Sequence, residues 1–159
     1  MYTIKKLGIE SLDAIFELEE LCFPVPDRWK EADWRELLED ERAVYYAMTD
    51  GDKLIGNVFI YNWKGENDYV KIMNVSVHPD YRKQGVAGRL LNRVTEEMKS
   101  DGMFRFCGET RSTNKAMQQT FEKCGYKLDR VEEHYFHDPD ESAWKYVLSV
   151  PDPSAKTDI

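Results

Sequence analysis

The sequence predicts one α/β (α+β) domain, a mixed and mostly antiparallel sheet of about seven strands with helices on both faces. Three observations lead there. In the first half, β-branched and aromatic runs follow one another across short turn signals, which makes an antiparallel meander. After it, segments of helical period alternate with segments of strand period, so helices must cross faces of the same sheet. Finally, 159 residues, 42% hydrophobic and 13% aromatic, suffice for one core but not comfortably for two. The domain is expected over residues 1–150, with "PDPSAKTDI" at 151–159 as a flexible tail that has little to bury.

Each element has its own signal. "YTIKKL" alternates as a short strand, and "ESLDAIFELEELC" sets Leu12, Ile15, Phe16, Leu18 and Cys22 at helical intervals. "FPVP" (23–26) stops that helix, because each proline biases the residue before it away from helical geometry. "KEADWRELLED" resumes a helix. "AVYYAMT" and "KLIGNVFIYNW" form a hairpin around "DGD", and "YVKIMNVSV" adds the third strand of the meander after "KGEN". From Gly85 the period changes: Val86, Leu90, Leu91, Val94 and Met98 form one apolar stripe, ending near "SDG" (100–102). "MFRFCGET" is a strand. "STNKAMQQTFEKCGY" then carries a Ser/Thr/Asn start, an apolar face through Met117, Phe121 and Cys124, and a closing Gly125. "YKLDRVEEHYF" and "SAWKYVLSV" are two strands around the turn-forming "HDPDE".

Charge and cysteine usage narrow the function classes. A net charge of −8 argues against a dedicated nucleic-acid binder, which needs a basic face for phosphates. No apolar run approaches a membrane span and no apolar leader follows Met1, so the expectation is a cytoplasmic protein, monomer or homodimer, without a membrane partner. Cys22, Cys107 and Cys124 are odd in number and widely spaced, which suits small buried hydrophobes better than disulfides or zinc ligands. His78, His134 and His137 have no metal spacing, and no metal is expected.

One stretch is electrostatically odd. "RKQGVAG" (82–88) places Arg82 and Lys83 at the start of a helix, with Arg89 just beyond, where the peptide dipoles are already positive. An anion would resolve the conflict. The first amides of a helix lack intrahelical partners, and Gly85, Ala87 and Gly88 would let a phosphate approach them closely. Taken alone, the segment is equally compatible with a plain turn flanked by solvated cations.

The wider stretch "NVSVHPDYRKQGVAGRLL" resembles the acetyl-CoA-binding segment of the GNAT N-acetyltransferase superfamily. Val77, Pro79, Arg82, Gly85 and Ala87 meet its V-x-P and Arg/Gln-x-x-Gly-x-Gly/Ala pattern, and the element order agrees along nearly the whole chain. The resemblance implies that acetyl-CoA is the cosubstrate. Its pyrophosphate would be held by the backbone from Arg82 and Lys83 through Gln84, Gly85, Val86, Ala87 and Gly88, and its pantetheine arm by the backbone of Val75 and Val77. "ETRSTNKAMQQTFEKCGYKL" resembles a second coenzyme-A-facing segment, most closely in N-terminal amine acetyltransferases of the ribosomal-protein type. Glu109, Arg111, Asn114, Gly125 and Tyr126 fall on its pattern, and "LCFPVP" resembles a substrate-side loop containing Phe23 and Pro24.

By that resemblance, Glu109 is the general base and a backbone N–H near Val75 an oxyanion donor. Asn114 is expected to contact the cofactor, cap a helix, or both. Phe121 departs from the pattern, since related enzymes commonly have a tyrosine there as general acid; phenylalanine is left with packing against pantetheine. A thiol of pKa roughly 8.5 leaves without much help, so the loss should slow transfer rather than abolish it. Tyr135 and Tyr126 are the neighbouring hydroxyls, with Tyr135 preferred as a catalytic and substrate-side group. The expected acceptor is a primary amine, foremost a peptide or protein N-terminal α-amine. Small amines, lysine side chains and a non-catalytic acyl-CoA-binding regulator remain as alternatives.

Overall fold

The computed structural model of the chain describes residues 1–151. The elements are β1 (Tyr2–Leu7), α1 (Leu12–Cys22), α2 (Glu31–Leu38), β2 (Ala43–Asp50), β3 (Lys53–Asn62), β4 (Val70–Val77), α3 (Val86–Ser100), β5 (Arg105–Arg111), α4 (Lys115–Lys123), β6 (Lys127–Phe136) and β7 (Glu141–Ser149). Their order is the one that the periodicities predict. The tail expected at 151–159 lies, apart from Pro151, outside the described residues. Among these residues, no helix is long and apolar enough to cross a membrane.

The strands form one sheet in the order β1-β2-β3-β4-β5-β7-β6, with every neighbouring pair antiparallel except β4 and β5. Both faces are covered, and alternation along β2 shows how. Tyr46 and Met48 join a core with the α3 stripe of Val86, Leu90, Leu91 and Val94 and with Phe121 of α4. Tyr45 and Ala47 point the other way, into a cluster with Leu12 and Ile15 of α1 and Trp34 of α2. Each fully buried leucine or valine of the α3 stripe contributes about 1.5–3 kcal/mol. Trp34 stacks on Phe59 at 5.1 Å and seals the second cluster.

Strand β4 changes phase midway. Val70 and Ile72 face the α3 core, and so do Val75 and Val77, although the first pair is even-numbered and the second odd. The register against β3 explains this: Phe59 pairs with Asn74 and Ile60 with Ile72, which leaves Met73 as an extra residue. Met73 packs on the α1–α2 side, and its neighbour Asn74 bonds there as well. This bulge lets one strand feed the same core at both ends.

Candidate active site

Strands β4 and β5 pair only where they begin, at Val70 with Phe106 and Lys71 with Cys107. Beyond that they diverge, and an opening runs between the end of β4 and the end of β5. On the β4 side, the His78 amide donates to Ile55 O of β3 at 2.7 Å. Main-chain groups alternate along a strand, so those of Val75 and Val77 face the opening. The Val77 carbonyl accepts from Cys22 Sγ at 3.3 Å and Arg82 Nε at 3.2 Å, both side chains from outside the sheet. The side chains of Val75 and Val77 pack against the core.

The strand leads through a 3₁₀ turn, Pro79–Tyr81, into the 82–88 loop. Gly85 caps α3 in the left-handed region at φ +75, and Lys83 shares that region at φ +64. Arg82, Lys83, Gln84 and Gly85 are exposed; Val86 turns its side chain into the core at 2% exposure. The first bond of the helix runs from the Arg89 amide to Gly85 O, 3.0 Å, so the amides of Val86, Ala87 and Gly88 have no carbonyl within the helix. No acidic residue stands in the first turn to offset the dipole. A Cβ at Gly85 or Gly88 would meet nothing within 4 Å, so the space beside both is open. The Gln84 side chain accepts a bond from Tyr2 OH at 2.8 Å.

The β5 side is built from side chains. Glu109 Oε1 accepts from Tyr135 OH at 2.8 Å, and Glu109 Oε2 lies 3.7 Å from Lys145 Nζ and 3.9 Å from Lys71 Nζ. Lys145 also lies over the Tyr135 ring, 4.7 Å from its centre. Burial and the bond to Glu109 push the Tyr135 phenol up to about 12. Burial likewise raises the Cys107 thiol, which keeps it neutral beside these charges. At the mouth, Arg111 clamps three segments. It donates to both Asp27 oxygens, 3.2 and 2.6 Å, and to the carbonyls of His137 and Pro139, 2.9 Å each. The α1–α2 loop and the β6–β7 turn are thereby tied to the end of β5.

That α1–α2 loop carries Phe23, half-buried, and Pro24, exposed, with Val25 72% exposed beside them. Arg28 supports the loop by donating to Phe23 O (2.8 Å) and Glu20 O (3.1 Å) at the negative end of α1. Below it is a buried polar chain. Ser76 Oγ donates to Asn57 Oδ1, Asn57 Nδ2 to Asn74 Oδ1 at 3.0 Å, and Asn74 Nδ2 to Glu19 Oε2 at 3.2 Å. Glu19 Oε1 accepts the Trp29 amide at 3.1 Å. Burial pushes the Glu19 carboxyl above its ordinary value, although its donors and Arg28 pull the other way.

The remaining expected site residues sit elsewhere. Asn114 caps α4, accepting the Met117 amide at 3.1 Å. Phe121 is 1% exposed and stacks on Tyr146 at 5.2 Å, so its ring presents no surface to the opening. The room for that ring comes from Gly108, where a Cβ would lie 2.5 Å from Phe121 Cζ. Tyr126 is buried with its hydroxyl unbonded, which leaves Tyr135 as the phenol in contact with Glu109. Sequence reading missed Glu19, Asp27, Lys71 and Lys145. For Glu19 a signal existed: positions 12, 15, 19 and 22 form one helical stripe, and a carboxylate interrupts it.

Comparison with known proteins agrees with this architecture. The ribosomal protein bS18-alanine N-acetyltransferase of Escherichia coli K12 is 24% identical over 155 residues, which span 95% of this chain and 98% of that one. The crystal structure of the ribosomal-protein-S18-alanine N-acetyltransferase from Escherichia coli superposes with a TM-score of 0.84 at 23% identity, covering 99% of this chain and 100% of the other. Arabidopsis thaliana NAA60 in complex with acetyl-CoA superposes at 0.83 with 15% identity, covering 94% and 99%. The family model described as the Acetyltransferase (GNAT) family matches residues 12–126, from the start of α1 to just past α4 and across the whole opening, and the chain belongs to that family.

Proposed function

We propose that this acetyltransferase moves the acetyl group of acetyl-CoA to the α-amine of a peptide or protein N-terminus, by direct attack of the amine with Glu109 as general base. The β4–β5 opening carries the reading, because free main-chain groups and helix-start amides line one side and a half-shielded carboxylate the other. Acetyl-CoA supplies a thioester already activated for transfer.

The residues suit that group. The amides of Val86, Ala87 and Gly88, with Arg82, Lys83 and the turn through Gln84 and Gly85, offer an anion site for the pyrophosphate. The main chain of Val75 and the Val77 N–H offer a strand edge to the amide-containing pantetheine arm, and the Val75 N–H suits a developing oxyanion. Asn114 and Phe121 then shape the site from behind, as helix cap and core ring. Phe23 and Pro24 flank the acceptor's entry, which Arg111 holds in place through Asp27.

Glu109 accepts the proton of the attacking amine. A free α-amine titrates near roughly 7.7–8.0 and a lysine near roughly 10.4, so one carboxylate serves the α-amine better at neutral pH. The name of the Escherichia coli relative, an alanine N-acetyltransferase of a ribosomal protein, favours the same acceptor. Tyr135, with its phenol near 12, stays protonated and gives its hydrogen to Glu109, so it positions the base. A thiol of pKa roughly 8.5 leaves as thiolate without a protein acid.

The test is acetyl-CoA turnover on three acceptor groups: peptides with a free N-terminus, lysine peptides with a blocked N-terminus, and small amines. The free peptides should be acetylated at the N-terminus and outpace the others. Transfer to blocked lysine peptides or small amines, with none to free N-termini, would overturn the assignment.

A further inference from the structure

Lys145 occupies the centre of the β5 bank. It rises from β7, and its ammonium lies 3.7 Å from Glu109 Oε2 on β5 and 3.7 Å from Glu132 Oε2 on β6. The same group covers the Tyr135 ring, whose hydroxyl holds the other Glu109 oxygen. One side chain thus touches both members of the Glu109–Tyr135 pair and a third group that would repel Glu109 if left alone. The Lys145 and Glu109 side chains are only 20% and 21% exposed, so water screens this contact less than it screens a surface pair.

We propose that Lys145 is a positioning residue for acetyl transfer: it locks Glu109 and Tyr135 together across β5, β6 and β7 and holds Glu132 away from Glu109. The proposal rests on Glu109 being the base. The groups facing Glu109 are Lys71 from β4, Cys107 on its own strand, Tyr135 from β6 and Lys145 from β7, with Glu132 behind Lys145. Lys71 and Lys145 bring positive charge to one Glu109 oxygen, the Tyr135 hydroxyl donates to the other, and the neutral Cys107 thiol adds no charge. Removing Lys145 withdraws one cation, takes the cover off the Tyr135 ring and leaves Glu132 free to repel Glu109.

The experiment is steady-state kinetics with a peptide acceptor, with kcat and KM read separately. Lys145→Met should lower kcat about tenfold with the acceptor KM close to wild type, and Lys145→Arg, which keeps the charge between Glu109 and Glu132, should recover most of the loss. In a Glu109→Gln background Lys145→Met should add little, because the group it positions is already gone. If Glu109→Gln alone leaves kcat unchanged, the general-base reading fails. If Glu109→Gln lowers kcat and Lys145→Met does not, the role of Lys145 falls and that of Glu109 stands. Lys145→Gln serves as the reading if Lys145→Met does not fold, and an unchanged kcat there overturns the proposal.

Discussion

On the β4 bank of the opening the polar groups are main-chain atoms with bonds to spare, whereas on the β5 bank they are side chains already bonded to one another. The amides of Val86, Ala87 and Gly88 have no carbonyl within the helix, and the main chain of Val75 faces the opening. Glu109, Tyr135, Lys71, Lys145 and Arg111 have partners. Backbone recognition depends on shape and tolerates many side chains, so it suits a cosubstrate that never changes. On the function proposed above, the preassembled side-chain cluster sets chemistry and entry, and a single substitution in it should be felt more strongly.

The steepest test of that contrast is Glu109→Gln, which should lower turnover by about 100-fold or more while acetyl-CoA affinity measured by calorimetry hardly moves. An equal loss in both would mean that the banks are not separate. Next, Arg111→Met leaves Asp27 and Glu141 without their cation and releases two loops. We expect about 3 kcal/mol lower stability in urea unfolding, with a higher acceptor KM. Unchanged acceptor KM would limit Arg111 to folding.

Glu19→Gln comes third, at about 2 kcal/mol, because it sets an amide donor against the Asn74 donor. Its pH dependence has a definite sign. The folded pKa of Glu19 is raised, so its contribution is fully present below the unfolded value near roughly 4.3 and is lost as pH rises through the folded value. The advantage of wild type over Glu19→Gln, followed by thermal unfolding at several pH values, should therefore narrow as pH rises. The smallest effect on stability is Gly85→Ala, about 1 kcal/mol for a side chain at φ +75. Isothermal titration should show weaker acetyl-CoA binding in it, while kcat at saturating acetyl-CoA stays close to wild type.

The same contrast decides what the sequence alone reveals. The β4 bank is written in consecutive letters, glycines and cations at a helix start, so "RKQGVAG" points to an anion before any fold is known. Glu109 was legible by its place in a motif. Its lysines were not, since Lys71 and Lys145 read as ordinary outward residues of their strands. They converge only because β5 stands between β4 and β7 in the sheet. The Arg111–Asp27 pair joins positions 84 residues apart. The identity of Phe121 was plain from the sequence, but its complete burial depends on the space left by Gly108, a relation that neither residue's type declares.

The extra residue at Met73 works like a frameshift within a single strand. Upstream of it the even positions serve the main core, and downstream the odd ones do. Deleting Met73 would join Ile72 directly to Asn74 and leave an unbroken alternation, in which Val75 and Val77 keep their partners on β3 and still face the core; what would go is the Met73 side chain in the α1–α2 cluster and the local twist of the bulge. The bulge therefore acts on the bend of the strand and on the Met73 contact, while the pairing on either side of it decides which residues reach the core.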